Sequence, residues 1–212
     1  MINTLKMALR EFIKNKYIAV SKLVKPGSSV LDVGCNKAEI LEFLPNIDYY
    51  GIDINKQLIE ELKKKRFNVH YADLDKDKLS LKKKFDYILL LDILEHIVNP
   101  VSLIEKSKKL VSNEGYIIIS LPNDYHFFNK LRFIFNKEIT PAFIKYWHLH
   151  IFPIKSGKNL IENNGFVILK IIDLPPTHKF IPKVVMNLLS KISRNNFSRN
   201  VIYLTKIKKE QT

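Results

Sequence analysis

A chain of 212 residues holds one domain with a full hydrophobic core and is too short for two of ordinary size. Hydrophobic residues at 46% and charged residues at 26% exclude collagen-like, mucin-like and largely disordered chains. A single cysteine, Cys35, excludes a disulfide framework and a multi-thiolate zinc site, and fits a reducing compartment.

The N-terminal stretch carries lysine or arginine every few positions and has no apolar signal core. No segment reaches the roughly 18 apolar residues of a spanning helix, so a cytoplasmic location is expected. The net charge of +14 is uneven. Residues 1–27 hold six basic groups against one acidic, residues 176–212 hold eight against one, and the body from 28 to 175 is nearly neutral. A nucleic-acid binder needs a basic face on its folded body, whereas basic flanks suit an anionic membrane surface or simple solubility.

In chain order, residues 1–27 read as an N-terminal helix. SSVLDVGC (28–35) is a β-branched strand after Pro26-Gly27, and AEILEFL (38–44) spaces apolar groups helically up to Pro45. YYGIDI (49–54) is a second strand, followed by the helical NKQLIEELKKKR (55–66) and a third strand, FNVHYAD (67–73). FDYILLLDI (85–93) is apolar enough for burial on both faces. VSLIEKSKKLV is a helix after Pro100, stopping near Asn113-Glu114-Gly115, and YIIISLP (116–122) is the fifth strand. Segment 122–150 breaks the rhythm and is rich in aromatics and histidine. The helix IKSGKNLIENNG and the strand FVILKIIDL (166–174) restore it. An insertion over 176–198 places Ile181, Val184, Val185, Leu188, Leu189 and Ile192 on one helical face, with Lys179, Lys183, Lys191 and Arg194 on the others, before the last strand, 200–208. Strands alternating with helices imply an α/β domain with a mostly parallel sheet covered on both faces.

In such a sheet the ligand sits beyond the carboxyl ends of the strands. Four strand ends here carry acids: Asp32 before Gly34, Asp53, Asp73, and the run Asp92-Ile93-Leu94-Glu95-His96. Asp53 lies nineteen residues beyond Gly34, close to the spacing at which an acid meets a ribose diol.

VLDVGCNKAEI (30–40), YYGIDIN, HYADLD, FDYILLLDILEHIVNP and HLHIFPIKSGKNLIENNGF resemble, in order, the motifs of class I S-adenosylmethionine-dependent methyltransferases of the type 11 and type 23 kind, including MetW-like proteins and ubiquinone-pathway O-methyltransferases. The resemblance implies a Rossmann-like, seven-stranded, mostly parallel sheet with an antiparallel last strand, and one methyltransferase domain over 1–212. It implies that Asp32 and Gly34 bracket the methionine moiety, with Cys35 and Asn36 in the close backbone turn. Asp53 would bind both ribose hydroxyls with Ile54 beside it, Asp73 and Leu74 the adenine, and Leu91 and Asp92 the cofactor's other side. Two family glycines are Asn36 and Ala38 here; asparagine tolerates a left-handed backbone and alanine adds one methyl, for a strain of roughly 1 to 2 kcal/mol.

Asp92, Glu95 and His96 with the distal His150 resemble the ligand pattern of metal-assisted O-methyltransferases, which would hold magnesium, manganese or zinc. Beside this stands a metal-free reading with His96 or His150 as the general base and Glu95 as a helix cap. Tyr125, His126, Phe127, Phe128, Tyr146, Trp147 and His148 read either as a water-excluding wall over the acceptor or as a cluster fixing a long loop. The expected reaction is methyl transfer to oxygen of a small or lipid-like acceptor, in a monomer or dimer with peripheral contact at the inner face of an anionic membrane. The rivals are a non-catalytic interaction module and an RNA 2′-O-methyltransferase.

Overall fold

The computed structural model describes residues 2–79, 81–135, 147–176 and 181–208. Seven strands among them form one sheet in the order β3-β2-β1-β4-β5-β7-β6. They are β1 (Ser29–Val33), β2 (Asp48–Asp53), β3 (Val69–Tyr71), β4 (Phe85–Leu91), β5 (Val111–Pro122), β6 (Phe166–Leu174) and β7 (Asn200–Ile207). The first five pair in parallel, and β7 runs antiparallel between β5 and β6. The helices are α1 (Ile2–Ser21), α2 (Lys56–Lys64), α3 (Pro100–Lys108), α4 (Phe127–Ile134), α5 (Ile154–Asn163), α6 (Lys183–Ile192) and the single turn α7 (Arg194–Phe197).

Alternation along the strands builds two cores, one on each face of the sheet. Leu31, Val33, Ile88, Leu90, Ile117 and Ile119 face Leu103 and Ile104 of α3 and Ile161 of α5. Val30, Leu89, Ile118 and Ile202 face Phe12 and Val20 of α1 and Ile59 and Leu62 of α2. The crossover helices start on side-chain caps. Asn55 accepts from the Leu58 N–H at 3.1 Å, and Asn99 accepts from Ser102 N–H at 3.0 Å ahead of Pro100.

Two elements differ from the sequence reading. Residues 38–44 form only a 3-10 turn over Glu39–Glu42, because Ala38 in front of it is left-handed (φ 55°) and Pro45 follows within three residues. The helix after Pro100 ends at Lys108, and Val111–Gly115, read as helix end and turn, belongs to β5. Val111 is buried opposite Phe85 across a register shift, so sheet pairing overrides the turn chemistry of Asn113-Glu114-Gly115. Residues 136–146, with Tyr146 of the aromatic segment, and 177–180, with Lys179, lie outside the described residues.

Candidate active site

The turn leaving β1 is held against the end of β2. The amides of Gly34 and Cys35 both donate to the Ile52 carbonyl, at 2.8 and 2.9 Å. Gly34 (φ 78°), Asn36 (φ 46°) and Ala38 (φ 55°) are all left-handed, so the two positions where the family has glycine keep the glycine conformation. A Cβ on Gly34 would stand 2.8 Å from Ile93 Cδ1, where the chain leaves β4. The turn is therefore a cradle in which backbone, not side chain, faces the switch point between β1 and β4.

Acids surround this cradle. Asp53 at the end of β2 accepts the Asn36 N–H on Oδ2 at 2.8 Å and the Asn55 N–H on Oδ1 at 2.9 Å, and each oxygen keeps a lone pair for a ligand hydroxyl. Asp32 is buried and accepts from the Tyr49 hydroxyl at 2.9 Å. Burial pushes its carboxyl up to about 6, with the Tyr49 bond and the Lys16 charge opposing. Asp92 (φ 51°) accepts from Ser120 Oγ at 2.5 Å, Asn200 Nδ2 at 2.6 Å and Lys16 Nζ at 2.6 Å. Burial works against its charge, but Lys16 and these bonds outweigh burial and hold the carboxyl below its ordinary value.

The remaining expected cofactor residues are spread around the same sheet edge. Asp73 organises its own turn, accepting from the Asp75 N–H at 3.1 Å and pairing with Lys76 at 3.1 Å. Leu74 beside it is buried, Leu91 half-buried and Ile54 exposed. Cys35 is buried, and burial with the Asp32 and Asp53 charges pushes its thiol up to about 12, which makes it a packing residue rather than a nucleophile.

Beyond the end of β4 the structure gathers a set different from the one in the sequence pattern. Ligating atoms of Glu95, His96 and His148 lie within 4.8 Å of one another. Asp92 turns instead toward Lys16, Ser120 and Asn200. His150 Nε2 lies 2.9 Å from the Ile97 carbonyl and 3.3 Å from that of Val98, so this nitrogen donates and the ring is committed to backbone. Glu95 is fully buried, and its Oε2 has no hydrogen-bond partner among the described residues. Burial and the nearby Asp92 charge push its carboxyl well above the usual range. The His96 and His148 rings meet edge to face at 4.9 Å, His148 Nδ1 lies 3.6 Å from Asp124 Oδ2, and His96 Nδ1 lies 3.3 Å from the Trp147 carbonyl. Burial lowers His96, and it brings His126 down to about 4 with help from Arg199, so both rings are neutral at pH 7.

His148 comes into the set because the chain after the aromatic segment is stitched to the Glu95 carbonyl by the amides of Leu149 and His150, at 2.7 and 3.2 Å. The sequence reading counted His148 only with the aromatic segment, as acceptor wall or as loop-fixing cluster. It missed Lys16 and Asn200, which carried no motif signal, and gave no role to Tyr49, although that residue opens the YYGIDIN motif.

A parallel sheet with acids at successive strand ends around a left-handed backbone cradle defines a nucleotide-cofactor site in an α/β enzyme. Residues 7–171 match the family model described as a methyltransferase domain, and the chain belongs to that family as a class I S-adenosylmethionine-dependent methyltransferase. It is 32% identical over 100 residues to a ubiquinone biosynthesis O-methyltransferase of Pelagibacter ubique, covering 44% of this chain and 42% of that protein. The Haemophilus ducreyi enzyme of the same name is 28% identical over 109 residues, covering 46% of each. The match thus spans about half the length of these relatives. Among solved structures, a SAM-dependent methyltransferase from Archaeoglobus fulgidus superposes with a TM-score of 0.68 at 23% identity, over 93% of this chain and 94% of that one. Magnesium protoporphyrin IX methyltransferase from Synechocystis with bound SAH does so with a TM-score of 0.68 at 17% identity, over 99% and 89%.

The residues fit S-adenosylmethionine. Asp53 and Asp32 supply acceptors for hydroxyls and an ammonium beside the Gly34 turn, which packs against Ile93 so closely that a Cβ would collide with it.

Proposed function

We propose that this methyltransferase acts on a hydroxyl of a small, largely apolar acceptor, with His96 as the group that receives the hydroxyl proton. The observation that carries this reading is the pairing of neutral His96 with His148 beside the β4 end, at the carboxyl edge of the sheet that holds the cofactor residues. When bound, the cofactor supplies an electrophilic methyl group, so the chain's task is to align the acceptor, exclude water and take one proton. Asp53 and the Gly34 turn position the cofactor. His96 accepts the proton, and the His148–Asp124 contact steadies the ring it meets. Tyr125, Phe127, Trp147 and Leu149 expose apolar surface on the segments after β5, in keeping with an apolar acceptor. The ubiquinone-pathway relatives support oxygen as the acceptor atom. His150, bonded to backbone carbonyls, is the lesser candidate for the base.

A divalent metal is a second reading, favoured by the orphaned buried Glu95 Oε2 in the same cluster. Glu95, His96 and His148 would hold it, and it would lower the pKa of an acceptor hydroxyl. Asp92 and His150, expected in that set from sequence, are engaged elsewhere.

The test offers matched phenol and aniline acceptors bearing alkyl tails and identifies the product by mass spectrometry. Methyl ethers are expected, and His96→Ala should lower kcat by about 10²-fold or more with cofactor affinity unchanged. Exclusive N-methylation, or full turnover in His96→Ala, contradicts the reading. Manganese or zinc binding followed by calorimetry, abolished in His148→Ala, separates the metal reading from a metal-free base.

A further inference from the structure

Helix α6 meets the protein through Met186 and Ser190, with Leu189 half-buried, and turns most of its apolar stripe outward. Met186 and Ser190 are buried, whereas Val184, Leu188 and Ile192, one turn apart along the helix, are 79%, 58% and 72% exposed, and Val185 beside them is 43% exposed. A helix that only capped the sheet would be turned the other way, since burying each such side chain stabilises by about 1.5 to 3 kcal/mol. The stripe therefore faces a partner outside the described chain.

Charge identifies that partner. The two basic flanks of the chain, far apart in sequence, meet here. α1 lies alongside α6, with Lys183 Nζ donating to Asn15 Oδ1 at 2.9 Å. Between them runs an open groove of about 590 Å³ lined by Phe12, Ile18 and Lys22 on one side and Lys183, Met186 and Asn187 on the other. Lys183 and Lys191 flank the stripe, α1 exposes Arg10 and Lys14, and Lys22 is exposed just after it. Of the acids nearby, Asp173 is paired with Arg194 at 2.6 Å, which leaves Glu11 as the opposing charge lining the groove. No helix among the described residues is long and apolar enough to cross a membrane.

We infer that the α1–α6 face is a peripheral docking surface for an anionic lipid bilayer, with Val184, Val185, Leu188 and Ile192 entering the headgroup boundary and the surrounding lysines meeting lipid phosphates. An apolar stripe with a basic surround gives reversible attachment without a spanning helix. The attachment does not depend on which acceptor is methylated.

Flotation of the full chain tests this with vesicles of phosphatidylcholine, with and without phosphatidylglycerol. Retention is expected on the anionic vesicles only, with release by high salt. Changing Lys22 and Lys191 to glutamine should weaken partitioning about fivefold per lysine, the factor equal to about 1 kcal/mol. Val184→Ser/Leu188→Ser/Ile192→Ser should abolish flotation while leaving calorimetric cofactor binding intact, which shows that the variant is folded. Equal retention on neutral vesicles, no retention on any, or undiminished flotation of the serine variant overturns the inference. So does a wild-type dimer that the serine substitutions convert to monomer, because the stripe would then belong to a second copy.

Discussion

Lys16 of the N-terminal helix donates to Asp92 at the end of β4 across 2.6 Å and 76 residues of chain. The Lys16 side chain is 9% exposed and that of Asp92 27%, so the pair is largely removed from water. Asp92 also sits in a left-handed conformation at φ 51°. α1 is thereby tied to the carboxyl edge of the sheet by an ion pair as well as by Phe12 and Val20 in the core. Lys16→Met leaves the carboxylate facing Ser120 and Asn200 alone, and should cost about 2 to 3 kcal/mol in urea unfolding. Lys16→Met/Asp92→Asn should recover part of the loss. Additive losses in the double variant would show that the pair is not coupled.

Gly34→Ala meets two penalties, a left-handed φ of 78° and a contact of 2.8 Å with Ile93 Cδ1. The variant should lose about 1 to 3 kcal/mol of stability and bind the cofactor more weakly. Adding Ile93→Ala relieves the contact and not the backbone strain, so the thermal midpoint should recover only in part. Full recovery would assign the effect to the contact alone.

Asp32 yields a pH dependence. Its folded pKa of about 6 lies above the ordinary carboxylate value of 3.8, so the native state holds the proton more tightly than the unfolded chain. This group's contribution to stability is complete below about pH 4, declines as pH rises through 6 and stays lost above it. Asp32→Asn should therefore be more stable than wild type at pH 8 by about 1 to 3 kcal/mol, with the difference vanishing near pH 4. Its cofactor affinity should fall, because a neutral amide replaces an acceptor for the ammonium. A stability gap independent of pH would show that Asp32 is charged throughout.

The order of strands and the acids at their ends were legible because a buried parallel strand writes a continuous apolar run and a sharp polar stop, as FDYILLLD does before Ile93. Asp53 could be expected at the same sheet edge as Gly34 because one strand–turn–strand unit separates them. The Glu95–His96–His148 cluster was less legible, since its members come from segments distant in sequence. His148 and His150 are two residues apart, and only the bonds of residues 149 and 150 to the Glu95 carbonyl decide that the first joins His96 and the second turns to backbone. The stripe of α6 was visible as a pattern, but a helical wheel does not say which side meets the protein. Burial of Met186 and Ser190 does.

Calorimetric titration with S-adenosylhomocysteine, on wild type and on Asp53→Ala, tests the cofactor site most directly. Asp53 is the carboxylate that shapes the Asn36 turn, and each of its oxygens keeps a lone pair for a ligand hydroxyl. One site per chain is expected in the wild type, and Asp53→Ala should weaken binding by about 1 to 3 kcal/mol through loss of charge-assisted bonds. Asp53→Asn should fall between the two. Absence of binding to the folded wild-type chain, or equal affinity in Asp53→Ala, would contradict the site described above.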